Sequence, residues 1–67
     1  MIMISVNNSR QSINNNSSVA TLLEQLGYQS NKVAVAVNSD FVPRSQYNEY
    51  KLNDNDAVDI LSAVQGG

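Results

Sequence analysis

The chain has 67 residues, of which 42% are hydrophobic, and four basic residues face six acidic ones for a net charge of -2. That is apolar material for one small globular domain, too much for disorder, and no stretch is long enough to cross a bilayer. The absence of cysteine and histidine excludes a disulfide framework, an ordinary zinc or iron–sulfur site, side-chain thiol chemistry and the commonest general base.

The start, Met1-Ile2-Met3-Ile4, is apolar but short and lacks a basic flank, so it does not read as a signal peptide and the cytoplasm is the expected location. Residues 1–7 alternate, with Ile2, Ile4 and Val6 on one face, which predicts a strand. Asn7-Asn8-Ser9 is turn chemistry, and Arg10 to Ile13 reads as the returning strand of a hairpin. After the polar loop Asn14-Asn15-Asn16-Ser17, Ser18 is a candidate N-cap. Val19, Leu22, Leu23 and Leu26 follow at the i, i+3, i+4, i+7 spacing of one short helix, and Gly27 stands where a left-handed C′ residue ends it.

Val33-Ala34-Val35-Ala36-Val37 is a β-branched run bounded by Asn38-Ser39-Asp40, and predicts a strand buried on at least one face. Phe41-Val42 resumes extended structure until Pro43, which cannot donate to a ladder. Ser45 to Tyr50 reads as a short helical turn, and Leu52 as a lone apolar anchor. Asn53-Asp54-Asn55-Asp56 predicts a tight turn with Asn55 at positive φ, and Ala57 to Leu61 the last strand.

One helix packed on one face of a mixed sheet of four to five strands is an α+β domain. With the first and last strands side by side in its middle, the arrangement is the ubiquitin-like β-grasp. Residues 1–62 are expected to form this domain. Residues 63–67 are expected to form a mobile tail, since Gly66 and Gly67 have no side chain to bury and lose much backbone freedom on ordering. Such a tail offers an unhindered carboxylate on a thin thread, suited to a narrow channel in a partner enzyme.

Candidate side-chain sites are few. Arg10, Lys32, Arg44 and Lys51 are scattered, so no basic stripe points to nucleic acid. Asp54, Asp56 and Asp59 are the densest acidic group. They read as a solvated turn entering a strand, because no calcium-loop pattern closed by a glutamate follows, and no metal site is expected. If Val58 and Ile60 point at the helix, Asp59 and Leu61 point away, leaving Leu61 as an apolar surface residue beside the tail, with Phe41 or Val42 extending that face. Arg44 has two readings, a contact to a partner carboxylate or phosphate and a local ion pair that pins its loop.

Nearly the whole length resembles the sulfur carrier family of thiamine biosynthesis (ThiS). The residues that carry the likeness are Val35-Ala36-Val37-Asn38, then Val42-Pro43-Arg44 and Tyr47. Leu52, Asp54-Asn55-Asp56, Val58-Asp59-Ile60, Val64 and Gly66-Gly67 complete it. Pro43-Arg44 separates this pattern from the molybdopterin-pathway carriers, which share the fold, the aspartate turn and the diglycine. Two residues depart from it: Asn55 stands where glycine is usual, and Tyr47 where tryptophan is frequent. Asparagine tolerates the left-handed conformation, so the turn survives.

The resemblance implies a carrier with no active site and no cofactor of its own. An E1-like adenylating enzyme would use ATP to activate the Gly67 carboxylate. A sulfur donor, such as the persulfide of a cysteine desulfurase, would displace AMP to leave a thiocarboxylate. A thiazole synthase would then take the sulfur. Gly66, Gln65 and Val64 would thread the partner's channel, and Leu61, Phe41, Val42 and Arg44 would supply the docking surface. The alternatives are sulfur carriage to molybdopterin, a ubiquitin-like modifier joined to lysines through Gly67, and a plain interaction module. No charged side chain lies between Ser62 and Gly66, which favours a carrier over a modifier whose activating enzyme reads tail arginines.

Overall fold

The computed structural model describes residues 1–62. Strands β1 (Ile2–Val6) and β2 (Ser9–Ile13) form an antiparallel hairpin in which Ile2 lies opposite Ile13 and Val6 opposite Ser9. The two-residue turn has φ 49° at Asn7 and 72° at Asn8. A two-residue hairpin loop with both central residues left-handed matches the twist of its strands, and asparagine accepts that conformation more readily than other non-glycine residues.

Helix α1 (Val19–Leu26) begins at Ser18, whose hydroxyl oxygen accepts from the Thr21 amide at 3.1 Å. Gly27, at φ 84°, ends it, and the Tyr28 amide returns to the Leu23 carbonyl at 2.9 Å. These are the expected caps. Two further amides of the first turn find carbonyls outside the helix: Val19 donates to Tyr50 and Ala20 to Tyr47, each at 2.9 Å. The segment carrying those carbonyls therefore serves as an external cap for the helix N-terminus. It opens with the 3-10 turn Arg44–Gln46, and Tyr47 is buried, its hydroxyl donating to the Val33 carbonyl at 3.1 Å.

Strands β3 (Val33–Val37) and β4 (Asp40–Val42) make a second hairpin across Asn38 and Ser39, again both left-handed at φ 53° and 74°. Strand β5 (Ala57–Ser62) lies between the hairpins, parallel to β1 and antiparallel to β3, giving the order β2-β1-β5-β3-β4. This is the five-stranded mixed sheet of a β-grasp. Its inner face supplies Ile4, Val6, Ile13, Val35, Val37, Val42, Val58 and Ile60 to one core with Val19, Leu22 and Leu23 of α1. Leu52 closes that core, and Asn55 holds φ 71° in the turn before β5. No helix among the described residues is long and apolar enough to cross a membrane.

Candidate functional site

Alternation along a strand decides what the uncovered face of the sheet displays. In β5, Val58 and Ile60 are buried and Ala57, Asp59 and Leu61 are exposed, Leu61 to 54%. In β4, Phe41 is 68% exposed and Val42 is buried. Leu61 pairs with Ala34 and Phe41 with Ala36, so the two large side chains stand on strands flanking β3 with small residues between them. The result is an apolar patch on the helix-free face. Leu61 lies next to Ser62, the last residue described, so the patch adjoins the point from which residues 63–67 continue. Gly67, Gly66, Gln65 and Val64 lie outside the described residues.

Two expectations need correction. Val42 is not part of the surface. The two-residue turn at Asn38 and Ser39 pairs it with Val35, on the core side, and only 6% of it is exposed. Asp56 is not a solvated turn residue. It is 8% exposed, and its two oxygens accept from Asn38 Nδ2 at 2.9 Å and from the Asn53 amide at 2.8 Å. Asp54 and Asp59 are exposed as expected. Asp54 Oδ1 accepts from the Met3 amide at 2.8 Å.

Arg44 is exposed and pins its loop, but through carbonyls rather than an acid. Nε donates to the Ser30 carbonyl at 3.2 Å and Nη2 to the Val33 carbonyl at 3.4 Å. Those two bonds join the segment after β4 to Ser30, ahead of β3, and to Val33, its first residue. They use one edge of the guanidinium.

A shallow open hollow of about 290 Å³ lies on the helix side between Ala20, Leu23, Glu24, Tyr28 and Ser30. Glu24 and Ser30, on its lining, are exposed to solvent.

Sequence reasoning missed the part played by two asparagines. Asn38 Oδ1 accepts from the Ala57 amide at 3.0 Å, where β5 begins. Asn7 Oδ1 accepts from the Ile60 amide at 2.8 Å, and Asn7 Nδ2 donates to the Ile60 carbonyl at 3.2 Å. Each asparagine is the first residue of a hairpin turn, and each reaches the central strand. The turn was legible in the sequence, but the target, a backbone 53 residues away in the case of Asn7, was not.

Comparison with known proteins places these features in context. The family model described as "ThiS family" matches residues 4–67. Over 62 residues, 92% of the chain, it is 36% identical to a thiazole synthase of Paramagnetospirillum magneticum, and the match spans only 19% of that protein's length. It is 35% identical over 49 residues to the sulfur carrier protein ThiS of Escherichia coli, covering 73% of this chain and 74% of that one. The crystal structure of the thiamine biosynthesis protein ThiS from Geobacter metallireducens superposes with a TM-score of 0.83 at 26% identity, covering 98% of this chain and all of that one.

Proposed function

The chain belongs to the ThiS family, and from that premise we propose that it carries sulfur as a thiocarboxylate on Gly67 for the thiazole of thiamine. The observation that carries this reading is the family match, which runs through residue 67 and so includes the diglycine. In this reading residues 1–62 are the body that partners grip and residues 63–67 are the thread that enters them.

The chemistry begins with a carboxylate, which is resonance-stabilised and resists nucleophiles at neutral pH. An E1-like enzyme binds ATP, and a Gly67 carboxylate oxygen bonds to the α-phosphorus as the bond to the bridging oxygen of pyrophosphate breaks. Pyrophosphate leaves with that electron pair. The mixed anhydride has AMP as a good leaving group, so one difficult step becomes two easier ones. The terminal sulfur of a persulfide then attacks the carbonyl and expels AMP. A second thiol attacks the resulting acyl disulfide at its other sulfur and releases the thiocarboxylate, with a disulfide as the oxidised product. With no cysteine in the chain, the terminal carboxyl is the group left to hold the sulfur.

Thiazole synthase is the proposed acceptor. A segment similar to this chain lies within one polypeptide named thiazole synthase, which supports a functional link between the two. The exposed pair Leu61 and Phe41 gives partners an apolar face next to the thread. The test is mass spectrometry of the protein purified from its sulfur-replete host. An oxygen-for-sulfur mass increase on the C-terminal peptide is expected. Isopeptide adducts on lysines, or an unmodified terminus throughout, would overturn the assignment.

A further inference from the structure

A central strand needs a neighbour on each edge, and β5 outruns one of its two. On the β3 side its pairing continues to Ser62, opposite Val33. On the β1 side it stops early, because β1 turns away after Val6, which lies beside Val58. Beyond that point Asn7 takes over. Its amide donates to the Val58 carbonyl at 2.9 Å, and its side chain then meets both polar groups of Ile60. A primary amide presents a donor and an acceptor side by side, so it satisfies both the N–H and the C=O of one further residue of β5. The clamp closes on the residue before Leu61. Asparagine suits this place twice over, since it accepts φ 49° and its short amide reaches the neighbouring strand.

We propose that Asn7 is a positioning residue for adenylation, holding the β1-facing edge of β5 so that the chain leaves the sheet at a fixed point and in a fixed direction. The proposal rests on the carrier reading given above. Without the clamp, β5 beyond Val58 is held by β3 alone, and its end can swing about that single ladder. Leu61 stays paired with Ala34, so docking through the patch survives. What falls is the effective concentration of the Gly67 carboxylate at the α-phosphorus of bound ATP, because the last residues of β5 no longer hold a fixed position. A loss of this kind appears in kcat. A loss of folded protein instead appears as a raised apparent KM for the carrier.

Asn7→Gly isolates the clamp, since glycine keeps the left-handed turn and removes both side-chain bonds. Asn8→Gly is the matched control, because Asn8 occupies the same turn at φ 72° and makes no side-chain hydrogen bond among the described residues. Asn7→Asp retains the acceptor for the Ile60 amide and removes the donor to its carbonyl. Amide hydrogen exchange by NMR needs no partner: Ile60 is expected to exchange about tenfold faster in Asn7→Gly, less so in Asn7→Asp, and unchanged in Asn8→Gly. ATP–pyrophosphate exchange with the host's E1-like enzyme is expected to show kcat lowered about fivefold in Asn7→Gly with KM for the carrier unchanged. Asn7→Asp should fall between that and the wild type. Unchanged exchange at Ile60 overturns the clamp. Faster exchange with wild-type kcat, or an effect confined to KM and melting temperature, overturns the positioning role and leaves a structural one. Wild-type protein that the enzyme does not adenylate overturns the carrier reading, and this inference with it. Wild-type protein that is adenylated no better than Asn7→Gly overturns this inference alone.

Discussion

Asn38 donates from Nδ2 to Asp56 Oδ1 across 2.9 Å, tying the turn of the second hairpin to the residue that launches the central strand. The tie is closed from both directions. The Asn38 amide donates to the Ala57 carbonyl at 2.7 Å, and its side-chain oxygen accepts from the Ala57 amide. The other oxygen of Asp56 accepts from the Asn53 amide, which fixes the turn that carries Asn55. Two donors on the two oxygens offset the cost of taking the Asp56 carboxylate largely out of water.

Asp56→Ala is therefore expected to destabilise the domain by about 1–3 kcal/mol, since it removes two part-buried hydrogen bonds to a carboxylate. Asp59→Ala, three residues along on the exposed face, should change stability by no more than about 0.5 kcal/mol. Urea denaturation of the two variants side by side checks the contrast. Equal effects would mean that the Asn38–Asp56 contact contributes nothing.

Leu22 is fully buried at the centre of the helix stripe. Leu22→Ala should cost about 2–5 kcal/mol as a large-to-small core substitution. In a domain of this size that is a large share of the total, and the midpoint of thermal unfolding by circular dichroism should fall accordingly.

Leu61→Glu and Val42→Glu should behave oppositely. At Leu61 the new carboxylate is solvated, so folding is retained while affinity for the adenylating enzyme or thiazole synthase falls, because the charge is desolvated only on docking. At Val42 it enters the core beside Val35 without a partner, and the domain should unfold. Circular dichroism reads the first property and calorimetric titration the second. Loss of fold in Leu61→Glu, or wild-type affinity, would remove Leu61 from the docking surface.

Removing Gly66 and Gly67 should leave thermal stability unchanged and abolish adenylation. If the proposed carrier reading holds, Gly66→Ala keeps the terminal carboxylate but adds a Cβ where the partner would enclose the chain, and one residue appended after Gly67 would carry the reacting carbon past the nucleotide. Both should lower ATP–pyrophosphate exchange, the extension more severely. Wild-type rates for both would show that the enzyme does not read the diglycine by its geometry.

What was legible in the sequence was whatever depends on near neighbours along the chain. The stripe from Val19 to Leu26, the Ser18 and Gly27 caps, the left-handed Asn55 and the outward side of Leu61 each follow from spacing or from one residue's backbone preference. What was not legible depends on register and on backbone partners. Val42 is internal because a two-residue turn at Asn38 and Ser39 sets which of Phe41 and Val42 faces the helix. Arg44 and Asn7 bond to carbonyls and amides, and these occur at nearly every residue and so leave no mark on composition. Asp56 resembled its neighbours Asp54 and Asp59 until Asn38, 18 residues earlier, was brought against it.

The strand order has a consequence for how the molecule is made. β5 is last in sequence and central in space, so a nascent chain that has emerged only as far as Asp56 consists of two hairpins and a helix with no common strand to join them. Each hairpin would then expose its apolar face and one bare edge, a species open to proteases and to aggregation. Folding must wait until translation has passed β5 and the ribosome has released it. Copies terminated before β5 are thereby excluded from the folded pool, and every folded molecule is one whose synthesis has passed Ser62.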